Sequence, residues 1–207
     1  MRPGNIIYEE REMEDARVEL KAEADRLLYL GPNLTLRRCT IVVRVPTRKL
    51  FIRSTTFIDC DIELKQELKR FSWTGAALKG CRFTGRMVGC DFGAWPGHGK
   101  WWEHGAVEDC DFSETRLDLC RFQSCDPRTL RLPRWPCFTI LDPLGRGREL
   151  TSASWPGSFS PVTLEGPYKE LPTTVALSFY APAEARRCET TEEELKAAIE
   201  RFDFIVH

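Results

Sequence analysis

Long apolar runs are missing from this chain of 207 residues. No stretch approaches the ~20 apolar residues of a bilayer-spanning helix. The start, Met1-Arg2-Pro3-Gly4, soon turns acidic instead of opening a basic-then-apolar secretion signal. These absences predict a cytosolic protein without a membrane partner. Histidine is scarce: His98, His104 and His207 are the only three, and none stands in a triad-like or metal-like pattern. No G-x-S-x-G, H-E-x-x-H or P-loop sequence occurs. No catalytic residue is therefore assigned, and neither a cofactor nor a metal is expected. An excess of one charge is missing as well. Lys+Arg number 30 and Asp+Glu 31, a net charge of −1, so nothing demands a nucleic-acid partner. Arg outnumbers Lys 22 to 8, and Ala, Gly and Pro are abundant, which fits a GC-rich bacterial genome.

Cysteine is plentiful, with nine residues, but not in metal-binding pairs. A zinc site favours close pairs such as C-x₂-C with histidine nearby; the nearest pair here is Cys120 and Cys125. A disulfide framework needs an oxidising compartment that the chain gives no signal for reaching. What the cysteines do show is a repeat. Cys-x-Ile or Cys-x-Phe recurs at Cys39-Thr40-Ile41, Cys60-Asp61-Ile62, Cys81-Arg82-Phe83, Cys90-Asp91-Phe92, Cys110-Asp111-Phe112 and Cys120-Arg121-Phe122. First and third residues of an extended triplet point the same way. Each block thus offers one small and one large inward group, with cysteine as a small apolar filler.

These blocks resemble the pentapeptide-repeat family over roughly residues 33–126. The resemblance implies a right-handed β-helix of square cross-section, quadrilateral and mainly β, with four blocks per coil and about four coils. The repeat is divergent, with blocks of four and six residues. Some members of that family protect DNA gyrase by imitating duplex DNA, which requires a strongly negative rod. Residues 33–126 carry 15 Lys+Arg and 12 Asp+Glu, an excess of +3, so DNA mimicry is disfavoured.

The four faces can be assigned. The first takes Leu34/Leu36, Thr55/Phe57, Ala76/Leu78 and Gly105/Val107. The second takes Cys39/Ile41, Cys60/Ile62, Cys81/Phe83 and Cys110/Phe112. The third, poorly kept, takes Pro46, Leu68, Met87 and Leu117. The fourth takes Leu50/Ile52, Phe71/Trp73, Cys90/Phe92 and Cys120/Phe122. Between Phe92 and Val107 the frame fails, and Gly and Pro punctuate a run of aromatics. This predicts a loop, at 93–106, leaving one corner. A loop stacks Cys110 on Cys81; a regular coil through the same residues would stack it on Cys90.

The ends divide from this centre. Residues 1–32 form an N-terminal capping segment in which 8–30 read equally as amphipathic helix or as strand. Residues 127–207 form an α+β region. Leu130 and Leu132 open an incomplete fifth coil. Strands are expected at Cys137–Leu141, Thr173–Tyr180 and Phe204–Val206. Residues 144–171 are mixed, with room for a short helix. Thr191-Glu192-Glu193-Glu194 is a capping box opening a helix to about Phe202.

The loop carries the candidate partner-binding residues: Trp95, His98, Lys100, Trp101, Trp102 and His104. Large rigid aromatics with polar tips are typical of binding hot spots. The alternative is that these tryptophans fold back and cover the irregular face. The expected function is a non-enzymatic protein-binding module of the bacterial cytosol; a toxin-neutralising immunity protein is one form of it. The alternative is a small enzyme with its site between the loop and the C-terminal region.

Overall fold

Alternating inward small and large residues make extended chain, and turns at regular intervals fold it into layers. The computed structural model of the chain describes residues 5–21, 26–95, 104–164 and 169–207. It is mostly β: a parallel-strand solenoid of about four turns, followed by a region containing three helices. Strand β1 (Ile6–Tyr8) starts the stack on the fourth wall. The first full layer then holds β2 (Arg11–Glu14), β3 (Arg17–Leu20) and β4 (Leu28–Leu30), which lies above β1. The second holds β5 (Leu34–Arg37), β6 (Thr40–Val43) and β7 (Leu50–Ile52). The third holds β8 (Thr55–Ile58), β9 (Asp61–Leu64) and β10 (Leu68–Lys69). The fourth holds β11 (Ala76–Lys79), β12 (Arg82–Val88) and β13 (Asp91–Gly93). The fifth holds β14 (Ala106–Glu108), β15 (Asp111–Asp118) and β16 (Cys120–Gln123). With layers about 4.8 Å apart, the stack is roughly 20 Å tall.

The N-terminal stretch that read as helix or strand forms strands, and no helix, among its described residues. Val18 and Leu20 point into the core while Arg17 and Glu19 stay outside. It pairs in parallel with the next layer, β2 along β5 and β3 along β6. The first wall is the most regular, five strands in the order β14-β11-β8-β5-β2. Leu36, Phe57, Leu78 and Val107 stack along it in register. On the second wall Val18, Ile41, Ile62 and Phe83 do the same. On the third, Leu68, Met87 and Leu117 align, but the second layer contributes buried Val45, with Pro46 only half-buried. The frame moves by one because that side holds a 3-10 turn at Thr47–Lys49.

The stacking of the two layers around the stretch 93–106 is the one that a loop there implies. Arg82 pairs with Asp111, and the Asp111 N–H donates to the Cys81 carbonyl at 2.8 Å, so Cys110 stacks on Cys81. Cys120 stacks on Cys90. Ten residues separate Cys110 from Cys120 but nine separate Cys81 from Cys90. The extra residue makes a bulge where the β12–β15 register shifts between Arg82 and Thr84.

Two aromatic columns fill the interior. Phe83 stacks on Phe112 at 4.7 Å and Phe92 on Phe122 at 5.1 Å, with edge contacts between the columns. The cysteines occupy the small inward positions, and their thiols donate back to the layer beneath. Cys60 Sγ reaches the Leu36 carbonyl at 3.3 Å and Cys81 Sγ the Phe57 carbonyl at 3.5 Å.

The C-terminal region closes the upper end. Arg131 bridges to Asp111 as a partial further layer. Then β17 (Cys137–Leu141), α1 (Gly147–Ser152), β18 (Thr174–Tyr180), α2 (Ala181–Arg187), α3 (Glu192–Ile199) and β19 (Ile205–Val206) follow. Strand β18 runs antiparallel to β16 and extends the fourth wall as β13-β16-β18-β17-β19. An antiparallel strand in this place ends the parallel stack. The capping box at Thr191 is present, and α3 buries Leu195, Ala198 and Ile199. Helix α2, with a proline in its first turn, was not anticipated. Its Arg187 joins the two parts. The guanidinium donates to Asp118 Oδ1 at 2.7 Å and Oδ2 at 3.0 Å, and also to Glu184. Both carboxylates are almost fully buried. No helix among the described residues is long and apolar enough to cross a membrane.

Two expectations follow from this packing. Arg187→Ala leaves two buried carboxylates without their shared cation and is expected to lower stability by about 2–3 kcal/mol, read by chemical denaturation. All nine cysteines are free and eight are buried. Half-buried Cys125 has its thiol pushed up to about 12 by burial, with Asp126 adding to it. A thiol reagent at neutral pH should therefore label Cys125 slowly and the other eight only after unfolding. Rapid labelling of three or more in the folded protein would contradict the buried columns.

Candidate functional site

The third and fourth walls are where layers of unequal length meet. Thirteen residues separate Cys39 from Ile52 and Cys60 from Trp73, but eleven separate Cys81 from Phe92. In the second layer the surplus forms the 3-10 turn, and the Thr47 hydroxyl accepts from the Lys69 N–H at 3.0 Å where a main-chain bond would otherwise run. Strand β7 ends its own sheet, β1-β4-β7. The next segment, Phe71-Ser72-Trp73, bonds only upward: Asp91 N–H donates to the Phe71 carbonyl and Trp73 N–H to the Asp91 carbonyl. No backbone hydrogen bond joins β7 to residues 71–73 among the described residues. The fourth wall is therefore split into two sheets.

A groove of about 480 Å³ occupies the split. Leu50, Ile52, Phe71 and Ser72 form its banks, with Tyr29 and Phe51 beside it. Tyr29 and Phe51 stack on the outside of the wall, ring centroids 4.9 Å apart and 15° from parallel. Phe51 is 42% exposed and is the only exposed aromatic side chain among the described residues. Beneath the groove lies Trp73, 1% exposed, stacked on Phe92 and edge-on to Phe57, Phe71 and Phe83. The groove narrows to nothing at Gly75, where a Cβ would lie 2.5 Å from the Ile52 carbonyl oxygen. There the layers rejoin, Thr55 N–H donating to the Gly75 carbonyl.

The loop predicted at 93–106 leaves and returns at this same corner of the solenoid, one layer further up. Gly105 fits between the Gly93 and Thr74 carbonyls, 2.3 and 2.5 Å from where its Cβ would be. Trp95 and His104, at the two ends of the loop, are half-buried, and the His104 Nε2 is enclosed. His98, Lys100, Trp101 and Trp102 lie outside the described residues. Sequence reasoning located this corner but missed the groove. The signal was present: Phe51 and Tyr29 sit at outward positions that elsewhere are mostly polar. Moreover, residues 26–58 and 68–90, the stretches of chain from which the groove's lining is drawn, contain no Asp or Glu.

A second cavity, of about 330 Å³, lies between β16 and the C-terminal region. It is lined by Arg121, Ser160, Thr163, Glu170 and Ser178, and by neither Trp95 nor His104. Arg121 donates to Asp91 at 2.7 Å. Ser178 is committed to the Thr139 hydroxyl at 2.7 Å and the Ser160 hydroxyl to the Val162 carbonyl. Among the described residues no hydroxyl there is hydrogen-bonded to a basic side chain. Burial pushes the Glu170 carboxyl above its ordinary value; Arg121 opposes this and Asp91 adds to it. The folded state therefore holds this proton more tightly than the unfolded chain, and the contribution to stability declines as pH rises through and above the usual Glu range. Glu170→Gln should raise the thermal midpoint at pH 7, and the gain should shrink towards pH 4. An equal gain at both pH values would refute the assignment.

Compared with known protein families, with curated proteins and with solved structures, the chain matches none.

Proposed function

We propose that the protein is a non-enzymatic binding module that holds a protein partner against the corner carrying the groove and the loop. The observation behind this reading is the split wall, with stacked Tyr29 and Phe51 displayed beside an apolar concavity. Among the described large apolar side chains only Ile7, Phe51, Leu119 and Leu164 are exposed. The single exposed aromatic thus stands at the groove. Aromatic anchors around a concave apolar surface dominate the energetics of protein interfaces. The solenoid supplies rigidity, because each layer is fixed by its neighbours, and recognition elements usually sit on such scaffolds at loops. The block pattern's resemblance to pentapeptide-repeat proteins supports a scaffold of this kind. A bacterial immunity protein that neutralises a toxin is one form such a module takes.

The test is capture from a lysate of source cells. Wild type is compared with a Tyr29→Ala/Phe51→Ala variant and with a Trp101→Ala/Trp102→Ala variant, each checked by far-UV circular dichroism. A partner retained by wild type and lost by either folded variant is the expected result. No specific partner with any of the three would overturn the reading.

A further inference from the structure

The groove has features that specify its occupant. Its banks are main chain. Arg53 N–H donates to the Leu30 carbonyl, towards the layer below. Alternate residues of a parallel strand bond to opposite sides, so the Leu50 carbonyl and the Ile52 N–H face the other way, into the gap. By the same alternation the N–H and carbonyl of Ser72 face it from the opposite bank, since Phe71 and Trp73 bond upward to Asp91. In an unbroken wall these groups would bond to one another. Here they border an apolar cleft.

One end of the groove is cationic. The gap lies between two points where the layers are joined, the bond from Lys69 N–H to the Thr47 hydroxyl at one end and Gly75 at the other. Arg48 and Lys49 immediately precede β7; Lys69 and Arg70 immediately precede Phe71. All four therefore flank the end at Thr47. Lys69 is paired with Glu67 at 3.0 Å. Arg48 and Arg70 are exposed and form no ion pair among the described residues. No Asp or Glu lies within the banks, residues 50–53 and 71–75, and the cations of the same segments that sit on the first and second walls, such as Arg37, Arg38 and Arg82, are paired with carboxylates there. Among the described residues Arg48 and Arg70 are thus the unpaired charges beside the groove.

We infer that the groove binds an extended acidic segment of a partner protein. An apolar or aromatic side chain of that segment rests against Phe51 and Phe71. Its main chain bonds to the free edge of β7, and its carboxylates meet Arg48 and Arg70. This rests on the binding-module reading and names the chemistry of the partner. Addition of an extended peptide to an open strand edge takes affinity from main-chain bonds and specificity from the side-chain pockets. Cations and aromatics alone would equally suit a single-stranded nucleic acid. The unfilled N–H and carbonyl groups decide for polypeptide, because they complement another peptide backbone.

The experiment is fluorescence anisotropy with the full chain and labelled probes. The first probe is Asp-Glu-Asp-Val-Phe-Val-Asp-Glu-Asp. The second replaces its acidic residues by Lys, the third replaces Val-Phe-Val by Gly-Ser-Gly, and the fourth is oligo-uridylate. The first should bind, and more weakly as salt rises. The second and third should bind at least about tenfold more weakly. Arg70→Glu and Phe51→Ala should each weaken the first probe by about tenfold, while far-UV circular dichroism remains unchanged. Equal binding of the second or third probe, tighter binding of the oligonucleotide, or no binding of the first would overturn the inference. The two readings fail separately. A captured partner that is indifferent to Arg70→Glu and Phe51→Ala would leave the binding module standing and remove the groove as its acidic-peptide site.

Discussion

Every layer of this protein must offer its main-chain groups to the layer above and the layer below at once. That requirement governs the rest. It sets side chains in register across five layers, so a small group stacks on a small group and a ring on a ring. It also makes layer length critical, because a surplus residue must go somewhere. Between the fourth and fifth layers it becomes a bulge and the ladder resumes within two residues. Between the second and third, which are equally long on this side, the second layer makes a 3-10 turn, a side-chain hydroxyl takes the place of a main-chain partner, and the fourth wall parts. The bulge is silent, whereas the parting creates a concavity, and beside it stands the exposed aromatic of the described residues.

The same constraint explains what could be read from sequence. Inward pairs at i and i+2 name a face whenever the blocks are of standard length, so the first, second and fourth walls were legible down to individual residues. The stacking of Cys110 on Cys81 followed from placing the frame failure in a loop. The third wall was not legible at its second layer, because Val45 and Pro46 are both apolar and only the turn after them decides which one faces inward. The N-terminal strands were masked by charge: Arg17-Val18-Glu19-Leu20 alternates over too few residues to exclude a helix, and pairing with β6 decides it. The groove was invisible because it is a missing interaction. Sequence patterns report which residues face inward; they do not report that two correctly oriented segments fail to bond. The absence of carboxylates along both banks was readable, but it gains meaning only once those segments are neighbours.

The two ends of the solenoid are treated differently. At the upper end β18 reverses direction against β16, and Arg187 ties α2 to Asp118 at the end of β15. That end is closed by hydrogen bonds, by packing and by a partly buried ion pair. At the lower end β1, β2 and β3 are the outermost strands of their sheets. Their outward residues are largely charged, among them Arg11, Glu12, Glu14, Arg17 and Glu19, which discourages pairing with another chain's edge.

This asymmetry has a mechanical consequence. The antiparallel β18 makes the cap the hardest part to detach, while β1 is held by a single neighbour, β4. A force drawn through the N-terminus is therefore borne by one layer at a time. The solenoid would unzip in steps of about one layer's contour length, each set by nearest-neighbour contacts. The second layer, lacking bonds across the split, would yield at lower force than those above it.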